Sequence, residues 1–172
     1  FFFKQKTAYE ISTRDWSSDV CSSDLVDARD FDDAISLERI ERGHWLLGVH
    51  IADVSHFVAE GSPLDQEALA RSTSVYLPDR VIPMIPEIVS NNLASLQPGR
   101  VRYARTCWME FSAEGIPIGA EVERSAIKSC RRFTYEEVDV FLADPQTRAG
   151  EMTDSVRELP GRMRDQIGRA HV

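Results

Sequence analysis

The chain lacks an initiator methionine, contains no long apolar run and has only three cysteines among its 172 residues. Without a run of about 20 apolar residues, the sequence predicts no membrane-spanning helix. Three cysteines are too few for a disulfide framework, and such a low number is typical of a reducing compartment. We therefore expect a soluble, cytoplasmic globular protein with neither a membrane nor a disulfide-linked partner.

Positive charge is also scarce. The chain has 20 lysines and arginines against 28 aspartates and glutamates, which gives a formal net charge of −8. We do not expect so acidic a protein to bind nucleic acid non-specifically without help, because a phosphate backbone attracts basic surfaces. The hydrophobic fraction of 42% is nevertheless sufficient for a buried core.

Both ends of the chain look foreign to a protein domain. The sequence opens with three phenylalanines and closes with IGRAHV, and codons can be chosen for this hexapeptide whose reverse complement translates as the DVCSSD of residues 19–24. We interpret residues 1–25 and 167–172 as translated sequencing-adapter sequence and exclude them from fold prediction. The head carries one net negative charge and the tail one positive charge, so residues 26–166 keep the net charge of −8. We expect these residues to be an internal piece of a longer protein.

The central residues predict strands that pair in hairpins. DAISLERI, from residue 33, alternates apolar and polar side chains, and after the turn ERGH a second apolar run, WLLGVHIADV, begins at Trp45. This pattern predicts a first hairpin. YARTCWMEFS and IPIGAEVERSAI, separated by AEG, predict a second one.

Helices are predicted between and after the hairpins. Ser62 as N-cap and Pro63 at the first helical position predict a helix of about three turns. The three prolines of VYLPDRVIPMIP predict an ordered but irregular loop. Further helices are predicted around PEIVSNNLASL, TYEEVDVFL and TDSVRELPGRMRD. The fold class is therefore α+β, with mainly antiparallel hairpin strands and interspersed helices.

The segment DARDFDDAIS, residues 27–36, places four aspartates within seven residues. Most acidic runs are solvated turns. If this one is extended, however, Asp30 and Asp32 share one face while Phe31 and Asp33 take the other. Neighbouring carboxylates raise each other's pKa unless a cation lies among them, so the pattern favours a divalent metal. Mg²⁺ completed by water and phosphate oxygens suits this arrangement.

Two other metal sites can be drawn from the sequence. A Ca²⁺-binding EF-hand loop would need a central glycine and a closing glutamate, and Ala34 and Ile35 interrupt its pattern. His50, Asp53 and His56 recur at intervals of three, but a strand and its exit do not hold all three on one face. We interpret His50 as a histidine at the edge of the core.

Several long blocks of the sequence resemble successive parts of the catalytic RNB domain of the RNase II and RNase R exoribonucleases, and TSVYLPDRVIPM is closer to RNase R. The resemblance covers residues 26–142 and implies that residues 26–166 are the N-terminal part of an RNB domain. It also implies Mg²⁺-dependent, processive 3′ to 5′ hydrolysis of single-stranded RNA to nucleoside 5′-monophosphates by a protein that is monomeric at full length. The blocks are DARDFDDAISLERI, WLLGVHIADVSHFV, GSPLDQEALARSTSVYLPDRVIPMIPEIVSNNLASLQPG and SAIKSCRRFTYEEV.

The resemblance also assigns residues. The three clustered acids of the family fall on Asp30, Asp32 and Asp33 as Mg²⁺ ligands, and Asp32 is the acid most needed for the chemical step. The family's first aspartate lies six residues before Asp30, where position 24 is an aspartate within the adapter-like segment. Tyr76 matches the aromatic residue that clamps the nucleotide at the RNA 3′ end. Without the resemblance, Tyr76 would be interpreted as a core aromatic.

Other functions remain open from the residues alone. A catalytically silent RNB-type module would bind RNA or a protein partner, although the intact acids argue against it. Another metal-dependent phosphohydrolase could act on a small phosphate ester, although the Tyr76 loop disfavours it. The catalytic arginine of the family is expected beyond residue 166, so we expect the chain by itself to be inactive or nearly so.

Overall fold

The computed structural model describes residues 30–134 and, for the backbone alone, residues 21–24. Eight strands, one α-helix and a single-turn π-helix make up the described part, together with two 3-10 turns at Glu41–Gly43 and Val54–His56. In chain order the elements are β1 (Cys21–Asp24), β2 (Asp33–Arg39), β3 (Trp45–Ala52), α1 (Pro63–Arg71), β4 (Val75–Tyr76), β5 (Val81–Ile82), the π-helix (Val89–Leu93), β6 (Val101–Phe111), β7 (Pro117–Lys128) and β8 (Arg131–Thr134).

Six of the strands form one sheet in the order β7-β6-β3-β2-β1-β8. The first predicted hairpin is confirmed, because β2 and β3 pair antiparallel from Asp33 opposite Ile51 to Arg39 opposite Trp45. The second is confirmed by the antiparallel pair β6 and β7. Among the described strands only β1 and β8 pair in parallel. The predicted α+β class with mainly antiparallel sheet is therefore confirmed.

Helix α1 begins as its start signals predict. The side chain of Ser62 accepts a hydrogen bond of 3.2 Å from the backbone nitrogen of Asp65, and Pro63 is the first helical residue. This capping bond satisfies one of the backbone donors that a helix leaves unpaired in its first turn. The predicted short helix before the turn at Pro98 and Gly99 is also present, as the π-helix Val89–Leu93.

Three elements differ from the prediction. β1 falls in the segment excluded as adapter sequence, yet its backbone pairs with both β2 and β8 in the main sheet. β8 was not predicted. The proline-rich segment is not wholly irregular, because β4 and β5 pair as a two-residue ribbon. Thr134, the first residue of the helix predicted from TYEEVDVFL, ends strand β8 instead, and the rest of that helix lies outside the described residues. The helix predicted from TDSVRELPGRMRD and the domain ends at 166 and 172 also lie outside them.

The core lies on one face of the main sheet, where small side chains let the segment after α1 pack closely. Val89, Ala94 and Leu96 come from the π-helix and the loop that follows it. They pack against strand residues on the sheet face, and Phe31 joins them from just before β2. The strand contributors are Ala34, Ala52, Ala104 and Ile127. Asp30 and Asp32, on either side of Phe31, therefore lie at the margin of the core.

Within residues 30–134 the cysteines are Cys107 and Cys130, and both are free thiols. Cys107 is half-buried in β6, but Cys130 is exposed, because it lies in the connection between β7 and β8 rather than within a strand. Within residues 30–134 no helix has the length and apolar character needed to cross a membrane.

Candidate active site

The three predicted metal-binding aspartates lie where strand β2 begins. Asp33 is the first residue of the strand, and Asp32 and Asp30 precede it. Asp32 and Asp33 are exposed and Asp30 is half-buried, whereas Phe31 between them is buried. The chain thus inserts one aromatic anchor into the core and leaves the neighbouring carboxylates at the surface.

The simple alternation predicted for this segment is wrong. Phe31 and Asp33 were expected on one face, yet Phe31 lies in the core and Asp33 is exposed. The next core residue is Ala34, three positions after Phe31. The regular strand starts only at Asp33, and the backbone of Phe31 bonds to a loop instead of to a neighbouring strand, so the period of two does not extend back through the acids.

That loop follows the π-helix. The backbone nitrogen of Phe31 donates to the hydroxyl of Ser95 at 3.1 Å, and the backbone nitrogen of Leu96 donates to the carbonyl of Phe31 at 2.9 Å. The guanidinium carbon of Arg132 lies 4.7 Å from the centre of the Phe31 ring. Sequence reasoning missed Ser95 and Arg132, because neither is near the acids in the chain. The only available signal was that both fall inside blocks that resemble the RNB domain.

Strand β1 brings position 24 to the same region. β1 runs antiparallel to β2, with Cys21 opposite Ile35. Because antiparallel strands run in opposite directions, the later residues of β1 lie toward the start of β2. The backbone of Asp24, the sequence position that the resemblance gives to the family's first aspartate, is therefore at the end of β1 that is nearer the acidic segment. The interpretation of residues 1–25 as adapter sequence stays a prediction.

These acids differ in their electrostatic surroundings from Asp53, an aspartate that is buried. The carboxylate of Asp53 is 3.5 Å from Nε of Arg105 and 3.7 Å from Nε of Arg124, and it accepts a hydrogen bond from Ser55. Buried carboxylates need such partners, so the ion pairs of Asp53 with Arg105 and Arg124 have a structural role. In contrast, neither Asp30 nor Asp33 forms an ion pair with a described residue. Asp30 and Asp33 thus differ from Asp53, whose charge is balanced by two arginines.

The donor chemistry of the acidic segment fits Mg²⁺. Carboxylate oxygens are hard ligands, and Mg²⁺ is usually held by one or two of them together with waters and substrate phosphates. Among the described residues no group of three or more His, Cys, Asp and Glu side chains is arranged to hold a metal ion. Asp30, Asp32 and Asp33 are thus not gathered into such a group in this structure. Asp30, Asp32 and Asp33 are the residues that would supply the protein ligands.

Tyr76 lies at the surface on strand β4. Its side chain is 72% exposed, so the alternative that it is a core aromatic is wrong. Tyr76 pairs with Val81 across the ribbon, and the backbone nitrogen of Leu77 donates to the carbonyl of Arg80 at 2.8 Å. An exposed ring on a short, bonded ribbon is available for stacking against a base.

The alternative metal site at His50, Asp53 and His56 is not formed. His50 is fully buried and contacts two hydroxyl groups, whereas Asp53 pairs with arginines. His56 is exposed, and its ring stacks on Tyr103 with centroids 4.0 Å apart. The three side chains thus have separate structural partners. His50 was expected at the edge of the core and is instead fully buried.

An open cleft of about 450 Å³ lies near the turn that joins β6 and β7. Trp108 and Leu46 contribute to its lining, and the indole nitrogen of Trp108 donates to Glu123 at 2.8 Å. Its acidic lining residues are Glu110, Glu121 and Glu123. So much negative charge repels a phosphate backbone, which makes this cleft unsuitable for RNA.

The comparison with known proteins agrees with the resemblance. The RNB domain family matches residues 14–165. The chain is 52% identical over 128 residues to Ribonuclease R of Thermotoga maritima, a match that covers 74% of this chain and 18% of that protein. It is 47% identical over 137 residues to Ribonuclease R 1 of Lactococcus lactis, covering 78% of this chain and 17% of that protein.

A solved structure of similar fold is also an RNase R. The RNase R of Mycoplasma genitalium in complex with ribose methylated single-stranded RNA superposes with a TM-score of 0.75 at 30% identity, over 99% of this chain and 25% of that chain. The chain thus spans about a fifth of the length of the curated relatives it matches. Since the family match extends over most of the sequence and includes the acidic segment, the chain belongs to the RNB domain family.

Proposed function

We propose that this chain is part of the catalytic domain of a Mg²⁺-dependent exoribonuclease that hydrolyses single-stranded RNA from its 3′ end and releases nucleoside 5′-monophosphates. The observation that carries the proposal is the position of the acids at the start of β2. Phe31 anchors the segment in the core, while Asp32 and Asp33 remain exposed. Membership of the RNB domain family supports the reaction and the RNA substrate.

The acids have different roles in this proposal. Asp30 and Asp33 hold Mg²⁺, and Asp32 is the carboxylate most needed for the chemical step. Bound Mg²⁺ lowers the pKa of a coordinated water and stabilises the charge on the leaving 3′ oxygen. Hydrolysis adds water to the phosphorus and breaks its bond to that oxygen, so the shortened strand keeps a 3′ hydroxyl. Aspartates suit this site because they stay ionised at neutral pH beside a cation.

Tyr76 positions the RNA in this proposal. Its exposed ring stacks on the base at the 3′ end, and stacking does not depend on base identity because every base has a π-face. The enzyme therefore degrades RNA with little sequence preference. The net charge of −8 makes affinity for the RNA backbone depend on basic surfaces outside this chain.

The direct test uses an enzyme of full family length that contains residues 26–166, with single-stranded RNA labelled at its 5′ end. We expect stepwise shortening from the 3′ end and nucleoside 5′-monophosphates in the presence of Mg²⁺, and no shortening with excess EDTA. Equal degradation in EDTA, or products that carry a 3′ phosphate, would contradict the proposal.

Two further outcomes identify the other functions. RNA binding without any degradation in Mg²⁺ identifies a silent RNB-type module. Faster hydrolysis of a simple ester such as p-nitrophenyl phosphate than of an oligoribonucleotide identifies a small-ester phosphohydrolase. The 172-residue chain by itself is expected to show no processive degradation, because it spans about a fifth of the matched enzymes.

A further inference from the structure

The peptide between two of the predicted metal ligands is fastened to a distant part of the fold. Phe31 donates its backbone N–H to the hydroxyl of Ser95 at 3.1 Å and accepts at its carbonyl from the N–H of Leu96 at 2.9 Å. Ser95 lies 64 residues further along the chain. Ser95 thus bonds the N–H of Phe31 and its neighbour Leu96 bonds the carbonyl. The loop therefore fixes the orientation of the backbone between Asp30 and Asp32.

The loop that holds Phe31 is itself firmly placed. Ser95 is 0% exposed, and its carbonyl accepts from Nε of Arg102 at 2.9 Å and from the backbone nitrogen of Gln97 at 2.8 Å. Leu96 is buried in the same core cluster as Phe31. A buried, hydrogen-bonded anchor has little freedom to adjust, so a change at Ser95 is transmitted to Phe31 rather than absorbed by the loop.

The other side of the acidic segment is held by strand β3. The backbone nitrogen of Ala52 donates to the carbonyl of Asp32 at 2.8 Å. The successive carbonyls of Phe31 and Asp32 are therefore bonded to different parts of the fold. Neighbouring carboxylates repel one another without a cation, so a backbone held from both sides keeps them from turning apart before metal binds.

We propose that Ser95 is a positioning residue for the magnesium site, whose hydroxyl orients the Phe31 peptide so that Asp30 and Asp32 are arranged before the ion binds. This inference rests on the proposed function. In this role Ser95 acts through the backbone of Phe31 and not as a ligand of the ion. Residues that orient metal ligands commonly change metal affinity by about 10-fold to 100-fold when they are removed.

The test is Ser95→Ala in an enzyme of full family length. Mg²⁺ binding is measured calorimetrically without RNA, and the Mg²⁺ concentration for half-maximal RNA degradation is measured separately. We expect both to shift by about 10-fold toward weaker binding. The KM for RNA stays unchanged, and saturating Mg²⁺ restores the rate.

Ser125→Ala is the matched control. Ser125 is also buried, and its hydroxyl bonds to Thr106 and to the carbonyl of Ala104, away from the acidic segment. If Ser95 only supports the fold, Ser95→Ala lowers the melting temperature and reduces the rate at every Mg²⁺ concentration, as Ser125→Ala does. A half-maximal Mg²⁺ concentration equal to that of wild type, or shifted no more than in Ser125→Ala, overturns the inference.

A second variant covers the case in which Ser95→Ala does not fold. Arg102→Gln removes the guanidinium from the carbonyl of Ser95 and is expected to weaken Mg²⁺ binding in the same direction by a smaller factor. Wild-type Mg²⁺ binding in folded Arg102→Gln overturns the inference in that case. If wild-type enzyme degrades RNA in EDTA, the proposed function fails as well. If wild type needs Mg²⁺ and the variants bind it equally well, only the role of Ser95 fails.

Discussion

Nδ1 of His50 lies 2.8 Å from the hydroxyl oxygen of Thr106 on the adjacent strand. On the other side of the ring, Nε2 lies 3.0 Å from the hydroxyl oxygen of Ser36. A neutral imidazole has one donor and one acceptor nitrogen, and a hydroxyl group can serve as the partner of either. The fully buried ring therefore links β2, β3 and β6 through two hydrogen bonds in its uncharged form.

This arrangement predicts a stability that depends on pH. Burial lowers the pKa of His50 from 6.5 to about 4. Above pH 6.5 the histidine is neutral in both the folded and the unfolded chain and has no effect. As the pH falls from 6.5 toward 4, the unfolded chain binds a proton that the folded chain excludes, so the free energy of unfolding falls. The total loss is about 3 kcal/mol, of which about 2 kcal/mol occurs by pH 5.

The measurement is urea denaturation of the 172-residue chain at pH 7 and pH 5, with His50→Gln as the control. Glutamine keeps a donor and an acceptor but does not titrate. We expect the loss of stability on acidification to be smaller in His50→Gln by about 2 kcal/mol. An equal loss in both proteins would show that His50 is not the group responsible.

Gly48 is predicted to tolerate no side chain. A Cβ at this position would lie 2.5 Å from the hydroxyl oxygen of Ser36 and 2.6 Å from the ring of Trp108. Gly48→Ala must displace these buried groups, so we expect a loss of about 1 to 3 kcal/mol in the free energy of unfolding.

The control is Gly119→Ala, also in a strand, where nothing lies within 4 Å of the added Cβ. Its effect should stay within about 0.5 kcal/mol. The free energy of unfolding of both variants is measured by thermal or urea denaturation. Equal stabilities would mean that the packing around Gly48 is looser than the distances indicate.

Tyr76 is predicted to contribute to RNA binding and not to stability. Its ring is largely exposed, so Tyr76→Ala should leave the melting temperature unchanged. In an enzyme of full family length, the variant should weaken binding of a single-stranded RNA 3′ end by about 1 to 3 kcal/mol, the usual range for one stacked base. Tyr76→Phe keeps the ring and should bind like wild type. An unchanged dissociation constant in Tyr76→Ala would remove Tyr76 from the RNA-binding surface.

Local patterns in the sequence were sufficient for the main strands and the first helix. The alternation in DAISLERI gives β2, and Ser62 with Pro63 gives the start of α1. The second hairpin follows from two long alternating runs around AEG. In each case neighbouring residues in the chain determine the element, so no distant contact has to be known.

Elements that depend on distant partners were not predictable in the same way. β8 has four residues and pairs in parallel with β1, so no turn signal connects the two strands. The environment of the acids likewise depends on Ser95, which is 64 residues from Phe31. Alternation alone placed Phe31 with Asp33, because the pattern cannot show that the backbone bonds to a loop before the strand begins.

We propose that the acids at the start of β2 perform Mg²⁺-dependent hydrolysis of RNA. The most direct test is the rate of degradation of single-stranded RNA by Asp32→Asn in an enzyme of full family length, with the exposed loop residue Asp79→Asn as the matched control. Asp32→Asn should lower the rate by about 100-fold or more while the protein still folds and binds RNA, because it removes the charge of a proposed metal ligand. Asp79→Asn should retain the wild-type rate. Wild-type degradation by Asp32→Asn would contradict the account.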